Sequence, residues 1–317
     1  MHNIMMSRLI LFIFITNIVF AKNTVETWGY LMKGEESYFP KKSSITDVAY
    51  FDMKIDVDGS LKGNLDTPTL SSALIKNTRS HIVITSSHHP DLYHHYLNDE
   101  LPFKTNIINN IVKISKNFDG VQIDFEGINQ RDGTCFLNFL CDLKQSLPKD
   151  KILSVAVMAR WKNHKKRYPM DAYDYSIIGR IADRVIIMAY DEHYRTGPPG
   201  PVASLSWCQK IYEHALDTIP KNKIIMGIPF YGRAWQQLPK VSKYSDIEKI
   251  IQNNNLKTLS DTIDGGSFEI NGTIKVHYET MKSLISKRNF YFSNPIKGLA
   301  YWRISQEPKN FWELTNH

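Results

Sequence analysis

The sequence predicts an α/β fold, a closed (β/α)8 (TIM) barrel with a small insertion between its seventh and eighth strands. Three observations predict it. Eight short, apolar, β-branched segments recur along the chain. The stretches between them carry apolar residues at helical spacing, and strand-helix alternation implies a parallel sheet. The 296 residues that remain once residues 1–21 are set aside match what one eight-unit barrel uses.

In order, the strand segments are Thr27–Leu31, Thr46–Ile55, His81–Ser87, Gly120–Glu126, Leu153–Ala159, Arg184–Asp191, Ile224–Gly232 and Gly298–Ile304. Among the intervening stretches, one places Ile107, Ile111, Ile114 and Phe118 at steps of four, three and four. A second runs from Asp171 to Ile181, and a third carries Trp207, Ile211 and Ala215. The stretch from Lys240 to Lys275, rich in Asn, Asp, Ser and Gly, interrupts the pattern and is read as an insertion near the top rim. An open doubly wound sheet is the alternative. It would show a Gly-rich phosphate turn after its first strand, and Trp28-Gly29-Tyr30 is not one. With no internal repeat and no low-complexity linker, residues 22–317 form one domain.

Residues 1–21 read as an export signal. Arg8 is their only formal charge, and Leu9 to Ala21 is a 13-residue apolar stretch ending in Val19-Phe20-Ala21, a small-residue cleavage pattern. An uncleaved anchor is the other reading, although 13 residues fall short of the roughly 20 needed to span a bilayer. The expected location is secreted or periplasmic. No later segment is long and apolar enough to span, so the mature chain has no stable membrane span.

Composition narrows the class further. With 42% hydrophobic residues the chain is no disordered polymer, and three Cys cannot staple 317 residues. Cys135 and Cys141 lie six apart on one helix, about 9 Å of rise and on opposite faces, too far for a disulfide. Three buried free thiols are expected. A net charge of +7 spread along the chain makes no nucleic-acid footprint. His88-His89 and His94-His95 lack Asp, Glu or Cys partners at a metal motif's spacing. No metal and no cofactor is expected, and the chain is expected to act as a monomer.

The chemistry lies in strand four. Residues 119–126 read Asp-Gly-Val-Gln-Ile-Asp-Phe-Glu. Side chains alternate along a strand, so Val121, Ile123 and Phe125 share one face, suited to packing under helices. Gln122, Asp124 and Glu126 share the other and point to the barrel axis. Barrel interiors are normally filled by branched apolar residues, so two inward carboxyls are costly unless paired or working. Their proximity raises one pKa and holds a proton near neutral pH. An acid beside a carboxylate is what glycoside hydrolysis needs; a carboxyl pair satisfied by backbone and Lys or Arg is the bland alternative.

This segment, DGVQIDFE, resembles the D-G-x-x-x-D-x-E signature of family 18 glycoside hydrolases, the chitinase-like enzymes. Met188-Ala189-Tyr190-Asp191 resembles the family's M-x-Y-D on strand six. Gly227-Ile228-Pro229-Phe230-Tyr231-Gly232 is similar to its G-x-P-x-Y-G on strand seven, and Tyr301-Trp302 closes strand eight where the family places a Trp. The longer run MAYDEHYRTGPPGPVASLSW is similar to the branch of spore-cortex-lytic and germination-type peptidoglycan hydrolases.

The resemblance implies a retaining O-glycosyl hydrolase, a β-N-acetylglucosaminidase assisted by its substrate. Glu126 would protonate the glycosidic oxygen, and the sugar's own 2-acetamido carbonyl oxygen would be the nucleophile, giving an oxazolinium. Asp124 would accept the acetamido N–H, and Tyr190 would donate its hydroxyl to the acetamido oxygen. The implied partner is an N-acetylglucosamine-containing polysaccharide or oligosaccharide, peptidoglycan first and chitin oligomers or chitobiose second. Many family members carry a third acid where this chain has Gln122, which takes no proton and is left to position Asp124 and bind substrate. A catalytically inactive, lectin-like barrel is the alternative function, and such proteins usually lack the acid that Glu126 supplies.

Further site candidates follow from position. Trp302 is placed as the apolar floor under a sugar ring, Tyr231 as a wall of the same pocket, and Asp191 as a hydrogen-bonding partner within it. Asp119, before the strand's Gly120, is assigned structural support. Arg233 stands on the loop after strand seven, where it meets a polar or acidic substrate group or is a surface Arg. The basic run Arg160–Arg167 after strand five is a solvated loop or a grip on an anionic polymer. The roughly 45 residues between Gly232 and Tyr278 leave little room for a large extra domain, so a shallow groove is expected.

Overall fold

A computed structural model describes residues 25–63, 65–86, 90–162, 172–235, 244–254 and 256–315. Its centre is a closed barrel of eight parallel strands: Glu26–Met32, Asp47–Ile55, Arg79–Thr85, Gly120–Asp124, Ile152–Met158, Arg184–Met188, Ile224–Pro229 and Gly298–Trp302. Closure is made by the first strand, which pairs the second through Trp28 and Asp47 and the eighth through Glu26 and Gly298. All eight predicted strands are present, with ends shifted by no more than three residues. The predicted helices fall over Phe103–Ser115, Tyr175–Ile181 and Leu205–Thr218.

The alternation of side chains sorts the apolar residues into two cores. Outward residues such as Val121, Ile123 and Phe125 pack beneath the helices with Phe136, Phe139 and Leu143. Inward residues Trp28, Tyr30, Ala49, Phe51, Val83, Ile186, Ile225 and Ala300 fill the barrel itself. Below them, at the N-terminal ends of the strands, lies a layer of paired charges. Arg184 forks onto Glu26 at 2.7 and 2.8 Å, and Arg79 reaches Glu26 at 2.9 Å and Asp47 at 2.7 and 2.8 Å. His81 bonds the same Asp47 at 2.8 Å. The charged groups in this floor are thus paired, as buried charges must be, while His81 Nδ1 has no hydrogen-bond partner among the described residues.

The insertion begins earlier and is more ordered than its composition suggests. Strands Gly232–Trp235, Ser260–Thr262, Gly265–Ile270 and Ile274–Tyr278 form an antiparallel sheet with helix Tyr244–Asn253. Ile247, Phe268, Val276 and Tyr278 give it a core of its own. Gly232 is the junction: a Cβ there would stand 2.7 Å from both Ile247 and Tyr278, so only glycine lets the chain pass from the barrel into this sheet.

One expectation of burial needs correction. Of the three free cysteines only Cys208 is buried; Cys135 and Cys141, on helix Gly133–Ser146, are half-buried. Of the basic run Arg160–Arg167, residues 160–162 are described. Arg160 is half-buried with its guanidinium 5.9 Å from the Tyr175 ring centre, and Trp161 packs edge-on against Trp207. His94 bonds Asp132 at 2.6 Å, and the His95 ring packs at a tilt against Phe103 with ring centres 4.2 Å apart. Residues 1–21, His88, His89 and 163–167 lie outside the described residues. Among those described, no helix is long and apolar enough to cross a membrane.

Candidate active site

Strand four ends at Asp124, and the three residues there are fixed by what surrounds Phe125. Its ring stacks on Phe139 at 5.6 Å and 22°, and its carbonyl accepts a hydrogen bond from the buried Tyr173 hydroxyl. With Phe125 held outward, Asp124 and Glu126 are thrown to the barrel axis. Gly127, at φ 75°, then turns the chain away, a conformation that favours glycine.

Asp124 and Glu126 open into a cleft of about 400 Å³ at the C-terminal ends of the strands, walled by Tyr190, Asp191, Tyr231 and Trp302 among others. Barrel enzymes place their active sites at this end. Asp124 is buried, and its Oδ1 has no hydrogen-bond partner among the described residues. Burial first, and the neighbouring Glu126 charge second, push its pKa up to about 8. At neutral pH the pair therefore holds a proton. Burial also drives the Tyr30 and Tyr190 hydroxyls well above the usual tyrosine range, with the carboxyls adding to the effect. Both remain O–H donors at any working pH.

The third motif explains the second. Tyr190 lies against Gly227, where a Cβ would stand 2.9 Å from the tyrosine ring and 2.6 Å from the Ile187 carbonyl. Asp191 takes a left-handed backbone, φ 65°, which Asp tolerates better than most residues. Its Oδ1 accepts from the Tyr231 hydroxyl and from Arg233 Nε at 2.9 Å. Arg233 also lies 5.5 Å from the Tyr231 ring centre, so Tyr231, Asp191 and Arg233 brace one wall. Trp302 is half-buried, packed on Tyr30 at 5.0 Å and Phe51 at 5.2 Å, and lines the cleft.

Two candidates lie elsewhere. Gln122 is fully buried one layer down, beyond reach of a substrate; its Nε2 bonds Ser154 Oγ at 3.4 Å, so its position is one of support. Asp119 sits at the far end of the strand, where its carboxylate accepts the Ser80 backbone N–H at 2.8 Å and ties strand four to strand three. Sequence reasoning missed Tyr30, Met188, Arg195, Ala234 and Gln306, which complete the cleft. Tyr30 carried a signal, because it is inward-facing on strand one. Arg195 and Gln306 lie on loops, where periodicity says nothing. Gly232, Arg233 and Ala234 come from the insertion's first strand, so the insertion walls the cleft that was expected to be a shallow groove.

The comparisons with known proteins agree with this geometry. The uncharacterized glycosylase YvbX of Bacillus subtilis is 27% identical over 274 residues, covering 81% of this chain and 79% of the relative. The cortical fragment-lytic enzyme of Bacillus anthracis is 26% identical over 324 positions, covering 93% of this chain and 74% of that one. Among solved structures, the spore cortex-lytic enzyme SleL of Bacillus cereus superposes with a TM-score of 0.80 at 25% identity, covering 92% of this chain and 73% of the other. A chitinase of Chromobacterium violaceum shares the fold at a TM-score of 0.81 and 23% identity, covering 92% and 97%. The profile of Glycosyl hydrolases family 18 matches residues 25–307. The chain therefore belongs to glycosyl hydrolase family 18 and is an O-glycosyl hydrolase of the chitinase type.

Proposed function

We propose that the protein is an exported, retaining β-N-acetylglucosaminidase that cleaves peptidoglycan glycan, with chitin oligomers as secondary substrates. The observation that carries this reading is the Asp124–Glu126 pair at the cleft floor, one carboxyl protonated and its buried Oδ1 unpartnered. An acetamido N–H supplies the missing partner. Export rests on Arg8 and the apolar run through Ala21. The relatives named as cortex-lytic favour peptidoglycan over chitin.

In this mechanism Trp302 receives an apolar sugar face, and the acetamido group enters beside Tyr190. The Asp124 carboxylate accepts the N–H once its proton has passed to Glu126. Glu126 then gives that proton to the glycosidic oxygen as the C1–O bond breaks. The acetamido carbonyl oxygen, held by the Tyr190 hydroxyl, bonds to C1. Water later attacks C1 as the bond from C1 to the acetamido oxygen breaks and its electron pair returns to the amide, and Glu126 takes the water's proton, restoring the pair.

The test compares residues 22–317 with a Glu126→Gln variant on peptidoglycan and on N-acetylglucosamine oligomers. The parent is expected to release reducing ends, and the variant to lose about 10²- to 10⁴-fold in kcat. Equal rates would remove Glu126 from the role of acid, and a parent silent on both would sink the enzyme reading. A thiazoline mimic of the oxazolinium is expected to inhibit strongly; indifference to it would exclude the acetamido nucleophile.

A further inference from the structure

The cations of the cleft point to a carboxylate on the substrate, an inference that rests on the glycosidase reading above. Two arginines line the cleft, Arg195 and Arg233. Arg233 is committed, its Nη2 standing 2.5 Å from Asp191 Oδ1. Arg195 is exposed, and no carboxylate pairs with it among the described residues. A guanidinium stays charged at every working pH and presents a planar fork matched to a carboxylate.

Its loop is built to hold it. Arg195 follows Tyr194 in a turn closed by the Gly197 N–H on the Tyr194 carbonyl at 2.9 Å. That carbonyl also accepts the Trp235 indole N–H at 3.3 Å, from the wall strand of the insertion. The loop's base is tied by the Ser204 N–H on Glu192 Oε2 at 2.7 Å, by the Glu192 N–H on the Val202 carbonyl at 2.9 Å, and by His193 against the Pro201 carbonyl at 3.0 Å. Both sides of the cleft thus fix the turn that carries the unpaired cation. A neutral glycan has no use for such a charge, whereas a carboxylate on a sugar next to the cleaved bond completes it.

We propose that Arg195 is a specificity-determining residue that reads a carboxylate borne by the glycan, selecting acid-bearing over neutral N-acetylglucosamine polymers. A carboxylate on an ether-linked side group of the neighbouring sugar is the chemistry that fits. Because Arg233 is paired with Asp191, Arg195 is the cleft arginine free to do so among the described residues.

The experiment uses three short glycans of equal length: one bearing a sugar carboxylate, the same glycan with that carboxyl as its methyl ester, and an unsubstituted N-acetylglucosamine oligomer. Turnover and equilibrium binding are both measured for the parent, Arg195→Ala and Arg195→Lys. The parent is expected to favour the acid over its ester, and Arg195→Ala to reduce that ratio about tenfold. Lys is expected to restore part of it, and rising salt to erode it in the parent, because the contact is exposed. A ratio that Arg195→Ala leaves unchanged, or a parent that favours the ester, overturns the proposal. A chain that binds the acid preferentially through Arg195 yet hydrolyses none of the three refutes the glycosidase reading alone. One that binds none refutes both.

Discussion

Gly227 shows how much of a motif is chemistry and how much is room. In sequence it is one letter of G-x-P-x-Y-G; in the structure it is the space that Tyr190 occupies. A methyl at Gly227 would meet the Ile187 carbonyl at 2.6 Å and the Tyr190 ring at 2.9 Å, and a backbone oxygen cannot step aside. Gly227→Ala is therefore expected to cost about 1–3 kcal/mol of stability and to displace the tyrosine hydroxyl from the acetamido position. The expected reading is a kcat fall of at least tenfold in a variant that still melts cooperatively. Unchanged kcat would show that Tyr190 need not lie where the structure puts it. Asp124 makes a second residue-scale expectation. Its proton is held to about pH 8, so kcat/KM is expected to fall above that pH, where the resting pair has no proton to pass on. An alkaline limb set well below pH 8 would contradict that placement. The carboxyl pair itself was legible, because two acids two apart on an apolar strand face one interior. How strongly the pair is desolvated was not, because that depends on burial.

At the scale of elements, the barrel strands were legible and the wall was not. Segments such as Val185–Ala189 and Ile224–Phe230 are continuous apolar runs, the signature of strands buried on both faces. The insertion's strands are short and mixed, as in Ser260–Thr262, and its core needs only four buried residues. Composition there reads as loop although tertiary packing makes it a sheet. That sheet carries Arg233 and Ala234 into the cleft and receives Trp235 against the Arg195 loop. Phe268, fully buried at its centre, is the test. Phe268→Ala is expected to remove about 3–5 kcal/mol of local packing. Hydrogen exchange is expected to rise over residues 232–278 while the barrel strands stay protected, and KM to rise more than kcat falls. Exchange that rises equally throughout would mean that the insertion and the barrel unfold as one unit.

For the whole molecule, the two ends of the barrel set opposite pH dependences of stability. The lower layer was hidden from sequence because Glu26 and Arg79 stand just outside the apolar runs that mark their strands. Desolvation there opposes ionisation of Asp47, but hydrogen bonds from His81 and Arg79 outweigh it and hold the carboxyl down at about 2. A depressed acid contributes stability above its unfolded pKa and loses it as pH falls through the folded one. Asp47 thus supplies about 2 kcal/mol above pH 4 that disappears toward pH 2. Asp124 has the reverse sign. Its folded pKa of about 8 lies above the unfolded 3.8, so between those values the native state keeps a proton that the unfolded chain has released. Stability from this group is full below pH 4 and declines as pH rises to 8. The barrel's floor therefore penalises acid, and its catalytic mouth penalises neutral and alkaline conditions. Denaturant titrations from pH 3 to 9 separate the two. Asp124→Asn is expected to be more stable than the parent, by a margin that grows from pH 4 to pH 8, while losing activity. Asp47→Asn is expected to lose about 3 kcal/mol at neutral pH, because it takes the carboxylate from His81 and leaves Arg79 with Glu26 alone, and to flatten the acid limb. An Asp124→Asn curve that tracks the parent at every pH would mean that the catalytic pair stores no folding energy, and the stability sacrificed at the mouth would have to lie in other groups.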